Sequence, residues 1–313
     1  MTIKEFNRKL RTFIRLLVTR FKRSLLRIPR AGRVDILETT LRELYRVSDM
    51  VRESNLETRR AHASQFGNPL NACGFGVFSQ ADEDGITLRI LEKLGLVTGS
   101  FLEIGVGSGT QCNTLILLAS GWRGVWLGNE ELRFPTTGTR LTFKQTWVTV
   151  ENILSNCDST FEVQKLARSD ISVLSIDIDG NDLWVTAELL RSGFLPSLII
   201  IEYNPLLPPP LTWARAYNPN NVPRGSNYGA SLQYISNSLA GFGYFLAACA
   251  LQNGNNAFFV HRRHKNLFSE VPDDISLTYV GRGLGSFKLP VSGKEWEPET
   301  IISLISMPQS PLM

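Results

Sequence analysis

The stretch from Phe101 to Thr110, FLEIGVGSGT, constrains the fold of this chain more than any other segment of comparable length. An apolar run ends in Glu103, three glycines follow at alternate positions, and a second apolar run begins at Asn113. Strand, glycine-rich loop and helix in this order receive nucleotide-like ligands in α/β sheets, because glycines let the backbone approach the ligand and the helix N-terminus faces it. The sequence therefore predicts an α/β fold with a ligand site after an early strand.

The spacing of the glycines separates two classes of ligand. A dinucleotide fingerprint requires a further glycine three residues after Gly107, where this chain has Thr110. The remaining pattern, an acid followed by G-x-G-x-G, resembles the nucleotide-binding motif of class I S-adenosylmethionine-dependent methyltransferases. A glycine-rich turn that binds nothing is the alternative. The resemblance assigns cofactor contacts to Glu103, Gly105, Gly107, Ser108 and Gly109.

Composition and cysteine spacing set outer limits. The chain has 313 residues, 43% hydrophobic and 20% charged, which is enough to bury one sizeable core. Its four cysteines are far apart and form no C-x-x-C pair, so reduced, buried thiols are favoured over a zinc or disulfide framework. Reduced thiols are typical of the cytoplasm, and we expect a cytoplasmic protein.

The basic residues are concentrated at one end of the chain. Residues 1–33 hold eleven Lys or Arg against the single acid Glu5, a net charge of +10, so the rest of the chain carries a net −6. Apolar residues between Phe6 and Leu25 recur three and four apart, which predicts an amphipathic basic helix. We expect this helix to lie on the inner membrane face, to mediate dimerisation or to pack on the core. Nucleic acid is not favoured, because the body of the chain lacks interleaved aromatic and basic residues.

Downstream of residue 60 the pattern alternates between helix and strand. Near-continuous apolar runs such as SVLSIDID and SLIIIEYN are typical of central parallel strands covered on both faces. Two later strands flank Asn253-Gly254-Asn255, which predicts an antiparallel hairpin closing the sheet. The stretch between the second strand and Val173 yields no clear element. The predicted helices are Gly85–Leu94, Asn113–Ser120, Leu183–Arg191 and Ser231–Leu239, and the predicted strands are Phe101–Ile104, Gly124–Leu127, Val173–Ile178, Leu198–Glu202, Tyr244–Leu251 and Ala257–His261.

The end of the second strand departs from the expected pattern. A Rossmann-like site places an acid there that accepts hydrogen bonds from the ribose hydroxyls. Here Gly128 occupies that position and is followed by Asn129 and Glu130. We expect Glu130, assisted by Asn129, to contact the ribose. A solvated loop glutamate is the alternative.

Acidic and amide side chains follow the two central strands. Asp177 and Asp179 are two residues apart, and so are Glu202 and Asn204, so each pair is expected to share one face at the C-terminal edge of the sheet. Oxygen ligands suit a hard divalent cation, whereas one carboxylate suffices for a general base. We therefore assign catalysis to Asp177, Asp179, Glu202 and Asn204, a further cofactor contact to Asp177, and a metal site for Mg²⁺ or Mn²⁺ to Asp179 and Glu202.

Several motifs taken together extend the resemblance from about residue 75 to 265. They include SQADEDGI, FLEIGVGSGTQCNT, LSIDIDGNDLW, IIIEYNP and NNAFFVHR. The combination resembles the FkbM-like class I methyltransferases of bacteria, which are associated with polysaccharide or secondary-metabolite biosynthesis. The resemblance implies a Rossmann-like, mostly parallel sheet with an antiparallel C-terminal hairpin. It divides the chain into a basic helical extension at 1–60 and a methyltransferase domain at 61–313.

The implied activity is S-adenosylmethionine-dependent O-methylation of a sugar or glycan precursor. The long polar and aromatic loop from Tyr203 to Gly229, with Trp213, Tyr217 and Arg224, suits a carbohydrate acceptor. Two alternatives remain open: methylation of a peptide or polyketide, and a non-catalytic binding protein that keeps the fold. Gly128 favours the binding protein, whereas the carboxylates after the central strands favour an enzyme.

Overall fold

The computed structural model describes residues 56–65, 67–136, 140–221, 228–252 and 255–281. The basic helix predicted within residues 1–33 lies outside the described residues, and its contact with a membrane or a second copy stays a prediction. No helix among the described residues is both long enough and apolar enough to span a lipid bilayer.

The fold is built on a seven-stranded sheet with the order β3-β2-β1-β4-β5-β7-β6. The first five strands in this order run parallel, and β7 is antiparallel to both of its neighbours. The strands are β1 (Ser100–Ile104), β2 (Arg123–Gly128), β3 (Leu141–Gln145), β4 (Ile171–Ile176), β5 (Leu198–Glu202), β6 (Tyr244–Cys249) and β7 (Asn256–His261). The helices are α1 (Glu83–Leu94), α2 (Leu115–Ala119), α3 (Ile153–Gln164), α4 (Asp182–Arg191) and α5 (Leu232–Gly241), and residues 56–65 are also helical.

Alternate residues of each central strand pack into two cores on opposite faces of the sheet. In β1, Leu102 and Ile104 join the core that contains α3, α4 and α5, whereas Phe101 joins the core that contains α1 and α2. This division follows from the two-residue period of a strand, and it explains why apolar residues occupy both faces of the central strands. The result is a sheet covered by helices on both faces.

The predicted fold class is confirmed. A mostly parallel sheet that ends in an antiparallel hairpin is the Rossmann-like class I methyltransferase sheet expected from the sequence. The predicted strand Leu198–Glu202 has the same bounds in the structure. The prediction that a strand runs from Val173 to Ile178 is wrong at its end, because β4 stops at Ile176 and the chain turns before Asp179, whose φ is +57°.

The sequence analysis missed one strand and one helix between β2 and β4. β3 is the edge strand of the sheet, and of its residues only Leu141 is fully buried. An edge strand needs no continuous apolar run, so its sequence, LTFKQ, carries little strand signal. α3 follows it and packs Ile153, Cys157 and Phe161 into the core.

The backbone of Gly105 lies almost against that of Asp177 where the chain leaves β1 and β4. A Cβ at Gly105 would lie 1.7 Å from the carbonyl oxygen of Asp177, and its φ is +92°. No side chain fits there, so glycine is required by packing as well as by backbone conformation.

A matched pair of substitutions tests this requirement. Gly121 has a φ of +93°, but a Cβ there would meet nothing within 4 Å. We expect Gly121→Ala to cost about 1–2 kcal/mol of backbone strain, and Gly105→Ala to cost that plus roughly 1–3 kcal/mol of steric conflict. Denaturant unfolding of both variants measures the difference, and equal losses would contradict the packing argument.

Candidate active site

A cavity of about 540 Å³ lies along the C-terminal ends of the parallel strands. Its volume is within the range of small-molecule sites in proteins. The glycine loop after β1 lines it, as do the segments that follow β2, β3, β4 and β5. In an open α/β sheet ligands bind at this edge, beside the point where the strand order reverses, which here lies between β1 and β4.

Three of the predicted glycine-loop residues line the cavity: Gly105, Gly107 and Ser108. At Gly107 φ is +50° and a Cβ would meet nothing within 4 Å, so the backbone there faces open cavity. Gly109 does not line the cavity, since a Cβ at this residue would lie 2.8 Å from the Leu132 side chain. The loop therefore offers bare backbone to a ligand at one place, around Gly107.

Glu103 is buried beneath the glycine loop and does not line the cavity. One of its carboxylate oxygens accepts from the backbone nitrogen of Asn113 (2.8 Å), and the other accepts from the backbone nitrogen (3.0 Å) and the hydroxyl of Thr114. These donors stand immediately before α2, where backbone N–H groups lack helical partners. The structure thus gives Glu103 the task of fixing the start of α2, and its assignment as a cofactor contact is not supported by its position.

Asn129 and Glu130 are exposed and line the cavity beyond the end of β2. Gly128 lines it as well, and a Cβ at this residue would lie 3.0 Å from the Val106 side chain. The carbonyl oxygen of Asn129 accepts a hydrogen bond from the Gln145 side chain (3.0 Å), which fixes the turn. The two residues expected to contact a ribose are therefore at the cavity.

Asp182, at the start of α4, organises the loop after β4. Its two carboxylate oxygens accept from the backbone nitrogens of Ile178 (2.8 Å) and Gly180 (2.7 Å). This shape leaves Asp177 half-buried and Asp179 exposed, and both residues line the cavity. The two aspartates do not project from one strand face as the sequence predicts, because the loop turns between them.

Three carboxylates converge beside the cavity: Asp177, Asp182 and Glu202 each offer one oxygen within 4.8 Å of the other two. We call these residues the carboxylate group. Asp179, which the sequence analysis assigned to a metal site with Glu202, is not a member, and Asp182 takes its place. The geometry brings β4 and β5 together as expected, but the third acid comes from α4.

The Asp177 carboxylate makes no hydrogen bond or ion pair with any described residue, although it lies among other acids. Burial raises its pKa well above the ordinary value, and the negative charges of Asp182 and Asp179 raise it further. Burial also raises the pKa of Asp182 to about 6. The electrostatic repulsion within such a group of acids is relieved when one of them binds a proton or when a cation binds beside them.

Asn204 does not line the cavity. It is fully buried, its amide nitrogen donates to the Tyr228 carbonyl oxygen (3.0 Å), and its side-chain oxygen accepts from the backbone nitrogen of Leu206 (3.0 Å). Asn204 therefore shapes the turn after β5, and the position gives no support for its predicted catalytic role.

The loop after β5 returns across the sheet and fastens the segments that follow β3 and β4. The carbonyl oxygens of Asn218 and Pro219 accept from the side chains of Asn181 (2.7 Å) and Trp147 (2.8 Å), two residues that line the cavity. Trp213 is fully buried, so it is unavailable to an acceptor, and Arg224 lies outside the described residues. This loop supports the cavity wall more than it presents aromatic faces.

Sequence reasoning missed Thr146, Trp147 and Val148, which line the cavity after β3. Half of the Trp147 side chain is exposed, so an indole ring is offered at the cavity wall. It also missed Gln80, which reaches the cavity from the loop before α1. An aromatic residue following an unrecognised edge strand gives no signal in the sequence by itself.

Comparison with known proteins adds little to this geometry. No protein-family model matches the chain, and no curated protein matches it in sequence. Among solved structures, it is similar to the MycE methyltransferase of the mycinamycin biosynthetic pathway, in complex with Mg, SAH and mycinamycin VI, at 15% identity and a TM-score of 0.29. The match covers 56% of this chain and 45% of that one, so this chain spans under half of its length.

A second solved structure, described as the conversion of a disulfide bond into a thioacetal group during echinomycin biosynthesis, is 14% identical with a TM-score of 0.31. That match covers 56% of this chain and 80% of the other.

The buried state of Glu103 predicts a pH dependence of stability. Burial raises the pKa of Glu103 to about 7, although the hydrogen bonds from Asn113 and Thr114 oppose the rise. The folded state then binds more protons than the unfolded state between the ordinary glutamate pKa and pH 7, so stability falls as pH rises through this window. In Glu103→Gln we expect this slope to be flatter by up to about 1.4 kcal/mol per pH unit.

The exposed Glu162 on α3 provides the control, since Glu162→Gln should leave the slope unchanged. Unfolding free energies measured between pH 5 and 8 test both variants. An unchanged slope in Glu103→Gln would show that the carboxylate stays ionised in the folded protein.

Proposed function

We propose that this protein is an S-adenosylmethionine-dependent O-methyltransferase acting on a hydroxyl of a sugar or glycan precursor. One observation carries the proposal: a single cavity joins the glycine loop after β1 to the carboxylate group after β4 and β5. A methyl donor at the loop and a hydroxyl at the carboxylates would then share one continuous space, which is what transfer between two bound molecules requires.

Residues on the β1 to β3 side fit the methyl donor. The open backbone at Gly107 admits a close ligand, and Glu130 and Asn129 offer an acceptor and an amide to ribose hydroxyls. Trp147 offers an aromatic face to a planar base. We call this part of the cavity the donor half.

When bound, S-adenosylmethionine supplies an electrophilic methyl group on sulfur. The protein must then orient the acceptor hydroxyl in line with that group and take its proton, so that the oxygen gains the methyl and S-adenosylhomocysteine is released. Asp177 fits the role of proton acceptor, because its carboxylate is not engaged by any described residue and its pKa is raised. A raised pKa brings a carboxylic acid nearer to the operating range of a general base.

The same carboxylate group also fits a divalent cation, Mg²⁺ or Mn²⁺, held by Asp177, Asp182 and Glu202. Three convergent carboxylate oxygens are the ligand type that these ions prefer. A cation there would lower the pKa of a bound hydroxyl, and Asp182 would keep its two backbone hydrogen bonds while using remaining lone pairs. These two chemistries, base and cation, are separated by experiment below.

Amide side chains support the saccharide class of acceptor. They line the cavity from several segments, and an amide both donates and accepts hydrogen bonds, as hydroxyl-rich ligands require. The aromatic loop expected to recognise the sugar contributes less, since Trp213 is buried. The amides are Gln80, Gln111, Asn129, Asn181, Asn221 and Asn255.

Substitution of Gly107 tests the donor site. In Gly107→Val the side chain would enter the open space where backbone meets the ligand, and we expect binding of S-adenosylhomocysteine, measured by calorimetry, to be lost. Gly121→Val also imposes a positive φ on valine, +93° against +50° at Gly107, but away from the cavity, and so controls for strain. Unchanged affinity in Gly107→Val would remove the methyltransferase assignment.

Manganese binding separates the two chemistries of the carboxylate group. If a cation binds, Asp177→Asn and Glu202→Gln should each weaken Mn²⁺ binding by at least about tenfold, while Asp179→Asn retains it, because Asp179 is outside the group. Titration followed by electron paramagnetic resonance measures this without an acceptor. No Mn²⁺ binding by the wild type, with methyl transfer preserved in a chelator, would select Asp177 as a metal-free base.

A further inference from the structure

Three consecutive acids at the start of α1, namely Asp82, Glu83 and Asp84, have completely buried side chains. We call them the acidic anchor. Burying a carboxylate is costly unless hydrogen bonds compensate for the lost water. Three such residues in succession therefore indicate that their hydrogen bonds hold the neighbouring chain segments in place.

Asp84 gathers the loop that precedes α1. One of its carboxylate oxygens accepts from three successive backbone nitrogens, those of Val77 (2.6 Å), Phe78 (2.6 Å) and Ser79 (3.1 Å). The loop is also tightly packed, since a Cβ at Gly76 would lie 1.9 Å from the Ala81 carbonyl oxygen. Residues 76–81 are consequently fastened to the start of α1 and packed against one another.

The other two acids join this loop to the hairpin that closes the sheet. Glu83 accepts from the backbone nitrogen of Ala81 (2.9 Å) with one oxygen and from the Asn256 side chain (3.0 Å) with the other. Asp82 accepts from two backbone nitrogens just after β6, those of Leu251 (3.0 Å) and Gln252 (2.9 Å). Asn256 is the register partner of Glu202, so the anchor holds the loop beside the β5 end of the cavity.

Gln80 stands at the tip of the anchored loop. Its side chain is exposed and lines the cavity, yet its amide makes no hydrogen bond with any described residue. Glu202 and Asn255, on the neighbouring strand and turn, line the same cavity. An amide without a partner among the described residues, on a loop fastened by buried acids and in the same cavity as Glu202, is available to a ligand.

We propose that Gln80 is an acceptor-specificity residue, and that Asp84 positions it. This inference rests on the proposed function and adds that the acceptor presents a second hydroxyl, beside the methylated one, to the Gln80 amide. The amide can donate a hydrogen bond to that second hydroxyl or accept one from it. An acceptor with two neighbouring hydroxyls, such as a vicinal diol of a sugar, therefore fits the site. The loop that carries Gln80 is anchored to the closing hairpin and not to the segments of the donor half, so we expect Gln80 to make no contribution to binding the methyl donor.

The test uses the full chain and a panel of monosaccharides and nucleoside diphosphate sugars as acceptors. Formation of S-adenosylhomocysteine gives KM and kcat, and calorimetry gives the affinity for S-adenosylhomocysteine. We expect Gln80→Ala to raise the acceptor KM by about three- to tenfold, as for one hydrogen bond lost, with kcat and cofactor affinity unchanged. Gln233→Ala, a glutamine on α5 outside the cavity, should change none of these values.

Asp84→Asn tests the positioning role. It should raise the same KM, and the double variant with Gln80→Ala should be no worse than Gln80→Ala alone, because a misplaced amide and an absent one lose the same contact. If Asp84→Asn fails to fold, Gly76→Ala replaces it: the added Cβ would meet the Ala81 carbonyl oxygen and displace the loop, so the same KM should rise.

Three results would overturn the inference. These are an unchanged acceptor KM in Gln80→Ala, a loss of S-adenosylhomocysteine affinity in that variant, and no methylation of any panel member by the wild type. A wild type that fails to bind S-adenosylhomocysteine overturns the proposed function instead, and that titration is made before any acceptor is added.

Discussion

The site depends on the contact between the two chain segments that leave β1 and β4. The backbone nitrogen of Asp177 donates to the carbonyl oxygen of Ile104 (3.0 Å), and that of Gly105 donates to the carbonyl oxygen of Leu127 (2.8 Å), so the ladder extends past the ends of the strands. Because Gly105 has no Cβ, the two backbones can approach until only a hydrogen atom separates them. The glycine loop and the first acid after β4 are thereby held side by side.

Buried carboxylates shape the segments around this contact in one repeated way. Asp182 binds two backbone N–H groups of its loop, Glu103 binds the start of α2, and Asp84 binds three N–H groups before α1. Each loop would otherwise leave backbone donors without a partner in the protein, which costs about 1–3 kcal/mol for each such group that is buried. Asp177 differs from these three because no described N–H group binds its carboxylate. Asp177 lies at the cavity without a structural partner among the described residues, and this is why we propose a chemical role for it.

The sequence could predict those parts of the fold that are buried on both sides. The central strands and the closing hairpin were found because apolar runs such as that of β5 are dictated by two cores. The edge strand β3 was missed because only part of it is buried, and with it Trp147 was missed. Residue types predicted that Glu130, Asp177, Asp179 and Glu202 lie at the cavity, but they also placed Glu103 there, and they did not predict which acids meet. Asp182 replaced Asp179 because the positive φ of Asp179 turns the chain, and the two-residue period of a strand does not apply beyond its end.

The glycine that ends β2 shows why a missing acid need not mean a missing contact. A Cβ at Gly128 would lie 3.0 Å from the Val106 side chain, and Val106 is itself buried against the end of the strand. A carboxylate branching from that position would have to displace Val106 and would be partly desolvated by it. The next two residues, Asn129 and Glu130, are exposed and still line the cavity. A carboxylate there reaches the same space while remaining hydrated. The ribose contact expected at the end of β2 is thus available to the loop after β2, and no charge has to be buried to make it.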